Sequence, residues 1–409
     1  MRIAMIAEHA TPLTAEGGAT GTQQRHVAEL STALSELGHD VRVYVRRDDP
    51  AQPAVGSFGS GVRVVHVPVG PARSLPAEAL LPHMGDFAQW LRAEWRDTGW
   101  LPDVAHAHFW TSGLAAVTAA RQVGIPVVQS FHELAGDTLP DAAQPGTGAS
   151  RTGYERALGR AVDRVVAQSQ DELHGLVRIG VPRSRLAVVP AGVDSERFFT
   201  PEGPSFERDP ERPRILSVGR LVEHKGFTDV IEAMRFVPNA ECIVVGGPPA
   251  QQLGTDPQAR KLRAMAEKFQ VADRVRLVGS VPAADMPRWY RSADLLVAAG
   301  WREQFELAPL EAMACGVPVI GAAVGGIKET IVDGLTGDLV PARDPRALGG
   351  ALRRLINDKV RRFAYATAAL DRARQAYSWK RVAAQVGSVY SAVAGRRATE
   401  AEAEAGAVA

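Results

Sequence analysis

The chain has 409 residues, 45% of them hydrophobic and 23% charged, with 47 Lys and Arg against 46 Asp and Glu. This balance excludes a disordered chain, a collagen-like chain and a small disulfide scaffold. The net charge of +1 gives no whole-molecule argument for nucleic acid or an anionic membrane as partner.

The start of the chain carries one basic residue and a short apolar run, as a poor signal peptide would. Acid and turn residues follow at once, so a first strand at residues 2–7 is predicted. Further strands are predicted at 41–45, 62–67, 104–106, 127–131, 164–168 and 186–189, each short, rich in Val or Ile and bounded by Gly, Pro or Asp. Between them lie helical patterns. The clearest, at 24–37, sets Val27, Leu30, Leu34 and Leu37 on one face and stops at Gly38; a second at 112–123 stops at Gly124. Strands alternating with helices imply parallel βαβ units.

Periodicity disappears over 197–213, where Pro201, Pro204, Pro210 and Pro213 fall, and this stretch reads as a linker. The pattern restarts with strands at 215–218, 241–245, 274–277, 295–298, 317–320 and 337–340, and helices at 227–236, 261–269 and 310–315. The expected division is a domain at 1–196, a linker at 197–213, a domain at 214–377, a helix over 378–394 and a disordered tail at 395–409. Cys242 and Cys315 stand far apart in apolar surroundings and read as buried thiols. No apolar run approaches the ~20 residues of a membrane span, so a cytoplasmic location is expected.

Open parallel sheets bind ligands beyond the carboxyl ends of their strands, and clefts between domains are common sites. The strongest segment there runs from Trp301 to Ile320. Pro309 suits the first turn of a helix, Glu311 is placed in that turn by the helix dipole, and Gly316 ends the helix. Glu303 and Glu311 either face a hydroxyl-rich ligand together, or Glu311 only favours the helix end while Glu303 is solvated. Arg220 follows one strand and Lys225 precedes a helix, which suits an anionic group. In the loop from Glu16 to Val27, Gly21 permits close backbone approach to a phosphate. His106 and His108 share one strand face, too few ligands for a zinc site by themselves, and His132 follows another strand end.

These motifs together resemble the retaining family 4 glycosyltransferases of GT-B fold. The carrying residues are Glu303 through Glu311 with Ala312, Gly316 and Pro318; Gly219, Arg220, Lys225 and Gly226; Ile243 to Gly247; Gly325 to Glu329; and Asp333, Gly334 and Gly337. The resemblance runs from Ile3 to about Val393. It implies an α/β architecture of two Rossmann-like domains whose parallel sheets face across a cleft, with a C-terminal helix crossing back to the N-terminal domain. The implied activity is transfer of a hexosyl or N-acetylhexosaminyl unit from a nucleotide diphosphate sugar, UDP-sugar favoured, to a small-molecule or glycan acceptor.

In that scheme the N-terminal domain takes the acceptor. Glu311 holds ribose hydroxyls, and Glu303 with the amides around Phe305, Glu306 and Leu307 holds the sugar. Arg220 and Lys225 stabilise the leaving diphosphate, His132 borders the sugar, and Gly21 lies by the donor phosphates. The basic pair removes the need for a metal, and no cofactor is expected. Nucleic acid and an integral membrane segment are not expected; oligomeric state is not legible. Arg63, Arg73 and the loop 133–151 are expected to face the acceptor.

Two positions depart from the family pattern. Thr22 and Glu306 stand where glycines are usual. Glu306 recognises a group on an unusual sugar, points away, or impairs transfer. The last option opens the alternative of a non-catalytic nucleotide-sugar-binding partner.

Overall fold

β-Branched residues bounded by turn formers build two separate sheets in the computed structural model, which describes residues 1–9, 11–12, 21–135, 147–199, 206, 209, 211–302 and 306–408. Side chains are described for these except at 22, 77, 147–149, 397–398 and 400–408. The described residues up to Pro190, with those from Trp379 onward, form one compact unit; those of Ala191–Ser378 form the other.

The first unit carries β1 (Arg2–Ile6), β2 (Asp40–Arg46), β3 (Val55–Phe58), β4 (Val62–Val67), β5 (Val104–His108), β6 (Val127–Ser130), β7 (Arg164–Ala167) and β8 (Leu186–Val188). Their order is β3-β4-β2-β1-β5-β6-β7-β8. All pairs are parallel except β3 with β4. The central strands are buried, as in a parallel sheet covered on both faces, so β1 reads Ile-Ala-Met-Ile without alternation. β3 was not foreseen: it is a four-residue edge strand that buries little.

The second unit carries β9 (Arg214–Val218), β10 (Glu241–Val245), β11 (Val275–Gly279), β12 (Leu295–Ala298), β13 (Val319–Ala322) and β14 (Gly337–Val340), in the all-parallel order β11-β10-β9-β12-β13-β14. Each sheet therefore reverses its winding once, between β1 and β5 and between β9 and β12. The loops leaving those strands diverge, and a doubly wound sheet presents its ligand crevice there.

Val193 N–H donates to the Tyr377 carbonyl at 2.8 Å, tying the two stretches by which the chain enters and leaves the second unit. The helix Trp379–Val408 then packs on the helix Gly21–Glu36 of the first unit, burying Trp379, Val382, Val386, Tyr390 and Val393. The tail expected to be disordered instead continues this helix to Val408, in keeping with the high helix propensity of Ala and Glu. The expected linker begins with a helix, Ser195–Phe199, whose Phe198 is buried against Tyr290 with ring centroids 5.9 Å apart. Among the described residues, no helix is long and apolar enough to cross a membrane.

Candidate functional site

In the second unit, β9 ends at Val218 and the chain turns through Arg220 to a short helical turn, Glu223–Lys225. Gly226 follows with φ of 68°, and a Cβ there would sit 2.1 Å from the Ala299 carbonyl oxygen. Only glycine allows this approach, which presses the Lys225 turn against the segment leaving β12. Two hydrogen bonds fasten the contact. Trp301 N–H donates to the His224 carbonyl at 2.7 Å, and Trp301 Nε1 donates to Asp229 Oδ2 at 2.8 Å. The turn thus sits at the reversal point of the sheet.

Arg220 is exposed and makes no hydrogen bond or ion pair among the described residues. Lys225 Nζ lies 2.8 Å from Glu306 Oε1. His224, between them in sequence, has its pKa lowered, first by burial and then by the charges of Lys225 and Arg220. Around His224, Lys225, Arg220 and Arg302 stand against the one carboxylate of Glu306, a local surplus of cations that suits an anion.

The helix Leu307–Ala314 follows Glu306. It begins earlier than expected, so Pro309 is in its first turn while Glu311 lies beyond it. The dipole argument for Glu311 is corrected, because that field falls off within the first turn. Glu311 is instead buried, and its Oε2 accepts from the Tyr290 hydroxyl at 2.6 Å. Tyr290 carried no sequence signal beyond being aromatic in a helix. Leu307 is half-buried at the helix start. Glu303 and Phe305 lie outside the described residues, so the Glu303–Glu311 pair is described at one end only.

In the first unit, sheet order gathers histidines from three elements. His106 and His108 lie on β5, His132 follows β6, and His26 comes from the helix Gly21–Glu36. The Tyr390 hydroxyl is 2.6 Å from His106 Nδ1, and His106 Nε2 is 3.0 Å from Ser130 Oγ. Gln168 Nε2 lies 3.3 Å from Nδ1 of both His26 and His132, so its two hydrogens serve both rings. His132 then carries its hydrogen on Nε2 and donates to His108 Nδ1 at 2.9 Å. His108 Nε2 is left with the last hydrogen, buried and without a partner among the described residues.

The ring nitrogens of His26, His108 and His132 fall within 4.8 Å of one another. Two nitrogens on one tetrahedral zinc stand roughly 3.3 Å apart, given Zn–N bonds of about 2.0–2.1 Å. The 2.9 Å separation of His108 and His132 carries a hydrogen bond and fits a stacked pair, with centroids 5.2 Å apart. Burial pushes all four pKa values down, to about 4 for His26 and about 3 for His106, and well below the usual range for His108 and His132. These rings are neutral at pH 7, so His132 offers hydrogen bonds and no charge. Its φ of 62° is a strained setting for a non-glycine residue, of the kind that clusters at functional sites.

The β1 end adds a second polar group that the motifs did not reveal. Buried Glu8 accepts from the hydroxyls of Thr111 and Ser112, and lies 3.1 Å from His9 Nδ1. Burial lowers the His9 pKa, but the Glu8 charge and hydrogen bonds outweigh it and the net shift is upward. Gly21 opens the adjoining helix, and a Cβ there would meet no atom of the described residues within 4 Å, so their packing does not demand the glycine. Arg63 is exposed on β4 and Arg73 is exposed. Of the expected acceptor loop, residues 136–146 lie outside the described part. Arg151 closes on Glu155 at 2.9 Å and on the Glu133 carbonyl at 2.7 Å.

Residues 23–197 match the family described as Glycosyltransferase Family 4, and residues 201–372 the one described as Glycosyl transferases group 1. The chain is 36% identical to the D-inositol 3-phosphate glycosyltransferase of Xylanimonas cellulosilytica, over 97% of this chain and 98% of that protein. Its fold matches sucrose-phosphate synthase from Thermosynechococcus elongatus with a TM-score of 0.83, at 26% identity and 95% and 98% coverage of this chain and that one. The Anabaena protein HepE, solved in complex with UDP-glucose, matches with a TM-score of 0.69, at 18% identity and 96% and 100% coverage.

Proposed function

The chain belongs to glycosyltransferase family 4 and has the GT-B fold, and on that premise we propose a retaining transfer of a sugar from a nucleotide diphosphate sugar to an acceptor hydroxyl. The observation that carries this reading is the Lys225 turn at the reversal point of the second sheet, with exposed Arg220 and with cations outnumbering the one carboxylate around His224. The charge of the diphosphate grows as the glycosidic bond breaks, so cations fixed there stabilise the transition state more than the ground state. UDP is the first nucleotide to try, and the transferred unit is a hexose or N-acetylhexosamine. The basic pair supplies the charge that a metal otherwise brings.

In this mechanism the second unit takes the donor. Glu311, oriented by Tyr290, accepts from ribose hydroxyls, and Glu303 serves the sugar. The acceptor oxygen attacks the anomeric carbon on the face from which the diphosphate leaves, and its proton passes to the departing phosphate. No enzyme carboxylate then forms a covalent intermediate, in contrast to a retaining glycosidase. The neutral rings around His132 position groups and do not act as acid or base. The first unit takes the acceptor. The similarity to D-inositol 3-phosphate glycosyltransferases makes a phosphorylated cyclitol the first small molecule to assay, before glycans. A cytoplasmic enzyme without a cofactor is part of the same proposal.

The test is a thermal-shift screen of UDP-, GDP-, ADP- and TDP-sugars, followed by determination of the anomeric configuration of the product. Stabilisation by one donor and an unchanged anomer are expected. Absence of a shift with every donor, or an inverted product, overturns the reading.

A further inference from the structure

We propose that Glu306 sets the preference of the anion site for a sugar nucleotide over the bare nucleoside diphosphate. The inference rests on reading the Lys225 turn as the diphosphate site. Glu306 occupies the position before the helix Leu307–Ala314, with extended φ and ψ of −118° and 124°. Side chains at such a position ordinarily accept from the first helical amides. Glu306 makes no such bond. Its carboxylate turns instead to Lys225, 2.8 Å away, with side-chain exposures of 6% for Glu306 and 15% for Lys225. The second oxygen, Oε2, is buried and has no hydrogen-bond partner among the described residues.

An ionised carboxylate has room for about four hydrogen bonds, and an unpaired buried acceptor is costly. The site is therefore one donor group short. A nucleoside diphosphate alone makes the shortage worse. It competes for Lys225 and brings a second negative charge beside Glu306, and it offers nothing to Oε2. A sugar nucleotide brings the same phosphates with hydroxyl or amide N–H groups, and one of these completes Oε2. Glu306 thus couples recognition of the sugar to release of Lys225 toward the phosphates. Once the sugar has been transferred, Oε2 loses its partner, Glu306 reclaims Lys225, and the spent nucleotide is displaced.

The experiment measures dissociation constants of UDP, UDP-glucose and UDP-N-acetylglucosamine by calorimetry for the wild type, Glu306→Gln and Glu306→Ala, with thermal melts to confirm folding. The wild type is expected to bind the better sugar nucleotide at least about tenfold more tightly than UDP. Both variants are expected to bind UDP several-fold more tightly than the wild type and to lose most of that ratio. Agreement of the two variants excludes an effect of the new amide itself. UDP affinity and ratio unchanged within twofold in either folded variant overturn the inference while leaving the diphosphate site standing. If the thermal-shift screen selects another base, the same series is run with that nucleotide and its sugars; a wild type that binds no nucleoside diphosphate or sugar nucleotide of any of the four bases overturns the diphosphate site, and the inference with it.

Discussion

Tyr390 and His106 are 284 residues apart in sequence, and the Tyr390 hydroxyl lies 2.6 Å from His106 Nδ1. Burial drives the phenol pKa well up and the imidazole pKa down to about 3, so both groups are neutral at pH 7. Ser130 Oγ donates to the Val166 carbonyl at 3.3 Å; with its hydrogen spent there it accepts from His106 Nε2, so His106 Nδ1 is bare and accepts from the Tyr390 phenol. One directed chain of donors runs from the C-terminal helix across β5, β6 and β7.

Tyr390→Phe keeps the ring and removes the first donor, leaving a buried imidazole nitrogen unpaired. A loss of about 1–3 kcal/mol is expected, measured by urea unfolding. Stability equal to wild type would mean that the hydroxyl does not direct this chain.

The neutral histidines make stability fall with acid. Their folded pKa values lie below the unfolded value of 6.5, so the unfolded chain binds more protons as pH drops. Their contribution is complete above pH 6.5 and is lost as pH falls from there toward 3–4. Each histidine adds up to about 1.4 kcal/mol per pH unit within that window. Urea unfolding at pH 7, 6 and 5 should show the slope, and His26→Phe should reduce it. A flat profile between pH 7 and 5 would remove the basis for calling the group neutral.

Tyr290 is expected to matter for donor binding more than for folding. Tyr290→Phe removes the hydroxyl that holds Glu311 Oε2 at 2.6 Å while keeping the buried ring. A loss of roughly tenfold in UDP affinity is expected, with a thermal shift of a few degrees at most, since one charged hydrogen bond is worth about 1.5–3 kcal/mol. Equal loss of affinity for a nucleotide and for an unrelated anion would point to general disorder.

Lys225→Ala alone confounds chemistry with folding, because it strands Glu306 without its buried partner. About 2 kcal/mol of stability should go with it, less than for a fully buried pair because Lys225 is 15% exposed. The double variant Lys225→Ala with Glu306→Gln should regain most of that stability and none of the turnover. Recovery of turnover in the double variant would contradict a phosphate role for Lys225.

The strands at 62–67, 241–245, 295–298 and 337–340 have the bounds that the pattern of Val, Ile and Leu between turn residues marks, because strand residues and turn formers act through local backbone preference. The edge strand Val55–Phe58 escaped the same logic. Its residues are exposed or half-buried, and it is held by pairing with β4 more than by side chains. Glu311, Lys225 and Glu306 were legible as chemistry, yet the pairing of Glu311 with Tyr290 and of Lys225 with Glu306 was not, since hydrogen bonds across 21 and 81 residues follow from packing.

The sequence by itself determined two α/β halves and the strand ends from which the charged residues project, because apolar periodicity and turn formers act locally; its motifs carried the resemblance to the family. Tertiary structure alone decided which of those residues meet. Strand order placed His106, His108, His132 and Gln168 side by side. The close approach of Gly226 to Ala299 brought the Lys225 turn to the segment carrying Glu306. The protonation of the buried rings followed from that burial, and no spacing in the chain encodes it.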